Sequence, residues 1–418
     1  IVFIPYDSPG LCAYVTLMRV GSRNEPEKGR SGYAHFFEHM MFRGTKTHPA
    51  ADYNGIVTRL GLNTNAFTSE DMTVYHLFGP SKALPTIIAL EADRFQNLEY
   101  SEPEFKTEAG AILGEYAKSA SDPEMKLEEK MMETAYTTHT YRHTTIGYLD
   151  DVRAMPSGFT YSREFFQRYY RPDNATIVVA GDFDKKTTLA EITRAYASWK
   201  GKVDPAAIAS EPKQTAPREA RVDWPTPTLA RTWIAWHAPS SSDLKAAAAQ
   251  SVLNAYLFGP TSPLYQDLIL GRQLVDSMDP TYGDHRDPYL FGVLARVKRD
   301  ADVPAVEEAV LAATKELASG KVDQKRLAAV RSNLKYGAIL QLDTAEKVAL
   351  TLATTTAPTG DVQYLNKLYA EIDRLAPADL VSFAKSCLTD ENRTIVRLST
   401  KLPTAQAGGA AHSKGGAR

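Results

Sequence analysis

The 418-residue sequence holds only two cysteines, Cys12 and Cys387, far apart and in no cluster. Neither a disulfide framework nor a cysteine-based structural metal site can be built from such a pair. Two small buried side chains are the expectation. Surplus charge is missing as well. Lys and Arg number 48 against 50 Asp and Glu, a formal net charge of -2, so the basic excess that nucleic-acid binding needs is absent. No apolar run reaches the roughly 18 residues of a membrane span. Histidines number nine. They are too scattered for a site that gathers many His and Asp ligands, which sets aside a metal-dependent phosphoesterase.

What is present is an ordinary globular composition, 43% hydrophobic and 23% charged. A chain this long divides into two or three domains of about 100–200 residues. It can bury a large core without disulfides. The sequence starts at Ile1, within a strand-like run and with no methionine before it. Any leader would lie upstream. A periplasmic or secreted protein is the expectation, with a cytoplasmic one as the alternative.

Hydrophobic periodicity predicts strands at 1–4, 12–20, 62–67, 72–78 and 175–180, and helices at 31–42, 84–97, 104–119 and 124–136. The Pro/Ala-rich stretch 202–217 lacks periodicity and reads as a linker. Beyond it come strands at 232–236 and 292–297 and helices at 242–256, 262–270, 305–317 and 324–341. Asn174-Ala-Thr-Ile-Val178 is echoed by Asn392-Arg-Thr-Ile-Val396, an offset of 392 − 174 = 218 residues. Phe165 and Phe383 match at the same offset. The echo predicts an α+β fold with two similar domains, each a mostly antiparallel sheet with helices on one face. The expected divisions are a domain at 1–203, a linker at 204–219, a second domain without a metal site at 220–404, and a disordered Gly/Ala-rich tail at 405–418.

The segment richest in chemistry is His35-Phe36-Phe37-Glu38-His39. On a helix, residues four apart share a face, about 5–6 Å apart at Cβ. His35 and His39 can therefore offer two imidazoles to one metal, while Glu38 reaches a water beside it. Phe36 and Phe37 face the core. The arrangement is the inverted zinc-helix motif, H-x-x-E-H. A catalytic zinc site needs a third protein ligand and an open position. Glu108 and Glu115 lie seven residues apart on the predicted helix 104–119, with Ile112 on the same face. One carboxylate ligating and the other supporting would explain their place among apolar residues. An ordinary acidic helix face would explain it equally well.

The segments Arg19-Val-Gly21-Ser-Arg-Asn-Glu25-Pro26 and Gly32-Tyr-Ala-His35-Phe-Phe-Glu38-His39-Met-Met-Phe42-Arg-Gly44-Thr45 carry a resemblance. Asn65-Ala-Phe-Thr-Ser69, Thr73, Tyr75 and Arg171-Pro-Asp-Asn174 add to it. Together they resemble the pitrilysin/insulinase family of zinc metallopeptidases, in its short two-domain form. The resemblance implies Zn²⁺, one per chain, held by His35, His39 and Glu115, since 115 − 39 = 76 matches the family spacing. It implies Glu38 as general base, Glu108 in support, and Asn65, Ala66 and Phe67 on a sheet edge that takes a peptide or unfolded protein as an added strand. The implied activity is endopeptidase hydrolysis in an enclosed cleft.

One part of the pattern is broken. The family's second half supplies an arginine and a tyrosine to the substrate carbonyl and oxyanion. The corresponding stretch here, Tyr265 to Asp276, places Ile269 and Asp276 at those positions. Losing one oxyanion donor typically slows turnover about 10²–10³-fold. Arg272 and Tyr282 are nearby candidates to substitute. The expectation is a zinc-binding subunit of a heterodimer whose homologous partner, lacking the zinc motif, supplies the pair. A homodimer is the lesser option. The competing reading is a non-catalytic structural or peptide-binding subunit of the same fold. His139 and His143, four apart in a Thr- and Tyr-rich stretch, read as structural.

Overall fold

The computed structural model describes residues 1–401. The tail expected at 405–418 lies outside the described residues. The first half carries β1 (Val2–Pro5), β2 (Leu11–Met18), β3 (Asn63–Thr68), β4 (Thr73–Pro80) and β5 (Ala175–Gly181). They form one sheet in the order β1-β5-β2-β4-β3. The second half carries β6 (Arg218–Trp224), β7 (Ala230–Ala238), β8 (Val275–Thr281), β9 (Tyr289–Val297) and β10 (Arg393–Thr400), ordered β6-β10-β7-β9-β8. In each sheet one outer pair, β1 with β5 or β6 with β10, is parallel and the other pairs are antiparallel. The two halves share one topology, as the sequence echo predicted.

Helices of the first half are α1 (Tyr33–Met40), α2 (Ala50–Leu60), α3 (Leu84–Asn97), α4 (Glu102–Ser119), α5 (Pro123–Ala135), α6 (Leu149–Ala154), α7 (Phe159–Tyr169) and α8 (Lys185–Ala195). Those of the second are α9 (Leu244–Phe258), α10 (Pro263–Tyr265, running on as a π-helical turn to Gly271), α11 (Val303–Ala318), α12 (Gln324–Gln341), α13 (Ala345–Thr356), α14 (Tyr364–Arg374) and α15 (Pro377–Cys387). Among the described residues no helix is long and apolar enough to cross a membrane. Cys12 and Cys387 are free and buried.

β2 is buried on both faces, which explains its near-continuous apolar sequence. On one face Cys12 and Tyr14 pack with Leu77 and Val179 beneath α2, α3 and α8 of the same half. On the other face Ala13, Val15, Leu17, Val74 and Val178 meet Ala345, Ala349, Ala353 and Ala357, which belong to α13 and its C-terminal end. The exchange is mutual. Leu127, Met131, Met132 and Ala135 of α5 cover Trp233, Ala235, Leu290, Val396 and Leu398 of the second sheet. The two helices begin 345 − 123 = 222 residues apart, close to the 218-residue echo. Each half thus packs its own helices on one face and receives one helix from the other half on the opposite face.

Several elements were not legible in the sequence. The apolar side of α13 is alanine, which carries little hydrophobic contrast. β8 contains Pro280, a residue that argues against a central strand; it is an edge strand. Residues 201–217 form no regular structure. They are nonetheless anchored, because the Glu211 carboxylate accepts the backbone N–H groups of Thr137, Thr138 and His139.

The alanine stripe sets the distance between α13 and the first sheet. Ala349 is fully buried, so Ala349→Leu should overpack this contact and destabilise the protein by about 1–3 kcal/mol in chemical unfolding. An unchanged stability would show that the contact is loosely packed.

Candidate active site

Helix α1 is held by its apolar side. Phe36 and Phe37 are fully buried. Phe37 stacks on Phe165 of α7 and packs against Phe166 and Tyr170. The Tyr75 hydroxyl of β4 donates to the Phe37 carbonyl at 3.1 Å and meets the Tyr170 hydroxyl at 2.8 Å. This fixed side leaves His35, Glu38 and His39 on the opposite flank.

Helix α4 lies across α1 and brings in the two glutamates. His35 Nε2 stands 3.8 Å from one Glu115 carboxylate oxygen, and His39 Nε2 stands 3.4 Å from the other. Ligand atoms of His35, His39 and Glu115 all lie within 4.8 Å of one another. Tetrahedral zinc with bonds of about 2.0–2.2 Å places neighbouring ligand atoms about 3.4 Å apart, so the three side chains fit that ion. They also leave a fourth position free. No other such grouping of His, Cys, Asp or Glu occurs among the described residues.

Glu108 acts on the far side of His39. Its Oε1 lies 2.9 Å from His39 Nδ1, which keeps Nε2 pointed at Glu115. Arg43, one turn beyond His39, forms an ion pair with the same carboxylate. Burial works to raise the Glu108 pKa, but His39 and Arg43 outweigh it and hold the carboxyl below its usual range. The bond to Glu108 in turn raises the His39 pKa. His35 behaves oppositely. Burial, with the neighbouring His39, pushes it down to about 4, so its imidazole is neutral and able to ligate at neutral pH. Its Nδ1 is buried without a hydrogen-bond partner, and His35 is the less firmly oriented of the two.

Glu38 is positioned by the sheet. The Thr68 hydroxyl at the end of β3 donates to its Oε2 at 2.6 Å. Burial raises the Glu38 pKa, and the Thr68 bond pulls it partly back. Asn65, Ala66 and Phe67 sit on β3, which pairs only with β4 and so leaves one edge open. Through the Thr68–Glu38 bond the end of β3 is joined to α1. A cleft of about 500 Å³ is lined by His35 and Glu115 together with Met125 and Glu128 of α5 and Trp233 and Leu294 of the second sheet.

The sequence alone assigns no role to Arg43 or Thr68. Arg43 had a signal: a basic residue four after His39 on the face that meets Glu108. Thr68 had none, because its partner lies 30 residues away.

Among the described residues the second half holds no equivalent centre. α12 begins 324 − 102 = 222 residues after α4 and has the same length. At that offset Glu108 and Glu115 correspond to Val330 and Gly337. Ile269 packs against the second core and Asp276 pairs with Arg296. Arg272 is tied to Asp267, and neither Arg272 nor Tyr282 lines the cleft beside His35.

The duplicated sheets and the His-His-Glu group with its adjoining carboxylate define a peptidase fold with one metal-competent half. Residues 2–148 match the family described as insulinase (peptidase family M16), and residues 161–334 match the peptidase M16 inactive domain. The chain belongs to the M16 family. It is similar to the zinc protease PqqE of Helicobacter pylori, 27% identical over 95% of this chain and 90% of that one. A crystal structure of a protease from Helicobacter pylori superposes with a TM-score of 0.88 at 27% identity, covering 95% of this chain and 96% of the other. The human mitochondrial-processing peptidase subunit beta is 33% identical over 144 residues, 34% of this chain and 29% of that one.

Because the Thr68 hydroxyl stabilises the charged form of Glu38, Thr68→Ala should move the Glu38 titration to higher pH. Carboxyl carbon NMR of the metal-free protein measures this directly; an unmoved or lowered midpoint would contradict the assignment.

Proposed function

We propose that this chain is a zinc metalloendopeptidase that hydrolyses peptides or unfolded proteins, acting as the zinc-binding subunit of a heterodimer. The observation that carries the reading is the approach of His35, His39 and Glu115 to within 4.8 Å, with Glu38 on the adjoining face of α1. The relatives named as zinc proteases support zinc as the ion.

When bound, zinc supplies Lewis-acid polarisation of the scissile carbonyl and lowers the pKa of water from about 15.7 to near 7. The chain's own residues do the rest. The Glu38 carboxylate, held at Oε2 by the Thr68 hydroxyl, accepts a proton from the attacking water. The same carboxyl then returns that proton to the leaving amine nitrogen. A pKa raised by burial brings Glu38 nearer to the working pH and favours both transfers. The peptide adds to the free edge of β3 at Asn65, Ala66 and Phe67, held by main-chain hydrogen bonds that tolerate varied sequence. Glu108 and Arg43 hold His39 in place throughout.

The partner follows from a deficit. Ile269 and Asp276 offer no donor to an oxyanion, and Arg272 is committed to Asp267. A homologous subunit facing this cleft would contribute the arginine and tyrosine.

Glu38→Gln should leave about one zinc per chain bound and lower peptide hydrolysis about 10²–10⁴-fold. The same assay, run with and without partner subunits captured from the source cells, separates the two parts of the proposal. Full activity of the purified chain alone would remove the heterodimer. Hydrolysis unaffected by Glu38→Gln would remove Glu38 as the general base, and no hydrolysis by the wild type even with the partner would leave a non-catalytic binding subunit.

A further inference from the structure

Helix α1 starts without a capping side chain of its own. Its first flanking residue is Gly32, at φ 91. A Cβ there would stand 2.6 Å from the Ile146 carbonyl oxygen, so the position is closed to the Ser, Thr, Asp or Asn that usually satisfies the first N–H groups of a helix. The missing acceptor comes from seven residues upstream. Glu25 Oε2 accepts the Gly32 N–H at 2.7 Å and Oε1 accepts the Ala34 N–H at 2.6 Å. Glu25 is buried. Burial pushes the Glu25 carboxyl up to about 8, and the backbone N–H bonds to its two oxygens pull it only partly back.

The backbone leading to Glu25 is fixed to the turn that follows β3. Ser22 N–H donates to the Ser69 carbonyl and Arg23 N–H to the Glu70 carbonyl. Gly21 lies so close to this turn that a Cβ would stand 2.2 Å from the Ser69 oxygen. From the other side His143 Nε2 approaches Glu25 Oε2 at 3.9 Å. Ser31 bonds Asp151 and receives the Tyr148 N–H. The start of α1 is thus clasped between the β3–β4 turn and the segment 143–151.

We propose that Glu25 is a positioning residue: its carboxylate caps α1 and fixes the helix relative to the β3 edge, so that His35 and His39 meet Glu115 while Glu38 meets Thr68. It touches neither metal nor substrate. The inference rests on the proposed metal-site reading for its effect on zinc, and on hydrogen bonds alone for the cap itself.

Two measurements test it. In the wild-type protein the Gly32 and Ala34 amides should exchange as slowly as the interior of α1, although first-turn amides normally exchange freely; fast exchange at both would overturn the cap without any variant having to fold. The variants Glu25→Met and Glu25→Gln then separate packing from hydrogen bonding. Glu25→Met fills the space without an acceptor and should weaken zinc affinity about 10–100-fold, the range for outer partners of a metal site. It should also lower kcat with KM unchanged. Glu25→Gln keeps one acceptor oxygen and should recover part of both. Equal, wild-type-like zinc affinity in the two variants would show that Glu25 merely fills space. If wild type binds no zinc, the metal-site reading fails while the exchange result still decides the cap.

Discussion

Four alanines at helical spacing, Ala345, Ala349, Ala353 and Ala357, lie against the back of the first sheet, and much of the molecule depends on that contact. Small side chains let α13 approach the sheet closely, and the residues beneath it on β2, β4 and β5 are buried as a result. The reciprocal contact of α5 with the second sheet uses larger groups, Leu127, Met131 and Met132 against Trp233 and Leu398. Neither sheet can bury both faces with helices of its own half. The exchange therefore makes the halves one folding unit, although the chain is a duplication. Asp71 adds a polar tie, accepting from Tyr141 of the first half and from the Arg286 backbone of the second.

The cleft follows from the same exchange. Sending α5 across to the second sheet carries the end of α4 with it, and Glu115 is on that end. Trp233 and Leu294 line the same cleft as His35 and Glu115. The duplicated half repeats the architecture without the chemistry. Val330 and Gly337 stand where Glu108 and Glu115 would, so the described residues hold one such centre. Around that centre the side chains are held in pairs: His39 by Glu108, Glu108 by Arg43, Glu38 by Thr68. The orientation of His39 and Glu38 is thus set by neighbours before any ion arrives, which lowers the cost of forming the site.

Much of this centre was legible in the sequence, because helical spacing converts directly into shared faces. His35, Glu38 and His39 needed only the period of a helix, and Glu115 needed the family spacing as well. The open edge at Asn65 to Phe67 was expected from the resemblance, and the structure places β3 at the end of its sheet. Other features rest on contacts that no local pattern encodes. Glu25 caps a helix seven residues on, across a loop folded back on the β3–β4 turn. Thr68 meets Glu38 only once β3 lies beside α1. The sequence does not reveal α13, because an alanine stripe has almost no hydrophobic contrast, nor β8, because Pro280 interrupts it.

The central claim is that His35, His39 and Glu115 hold one catalytic zinc. Anomalous diffraction at the zinc edge from zinc-loaded crystals tests it most directly. The account predicts a single strong peak about 2.0–2.2 Å from His35 Nε2, His39 Nε2 and a Glu115 oxygen, with Glu108 bonded only to His39 and Arg43. A peak elsewhere, or none at this site in protein that has been offered zinc, would contradict it.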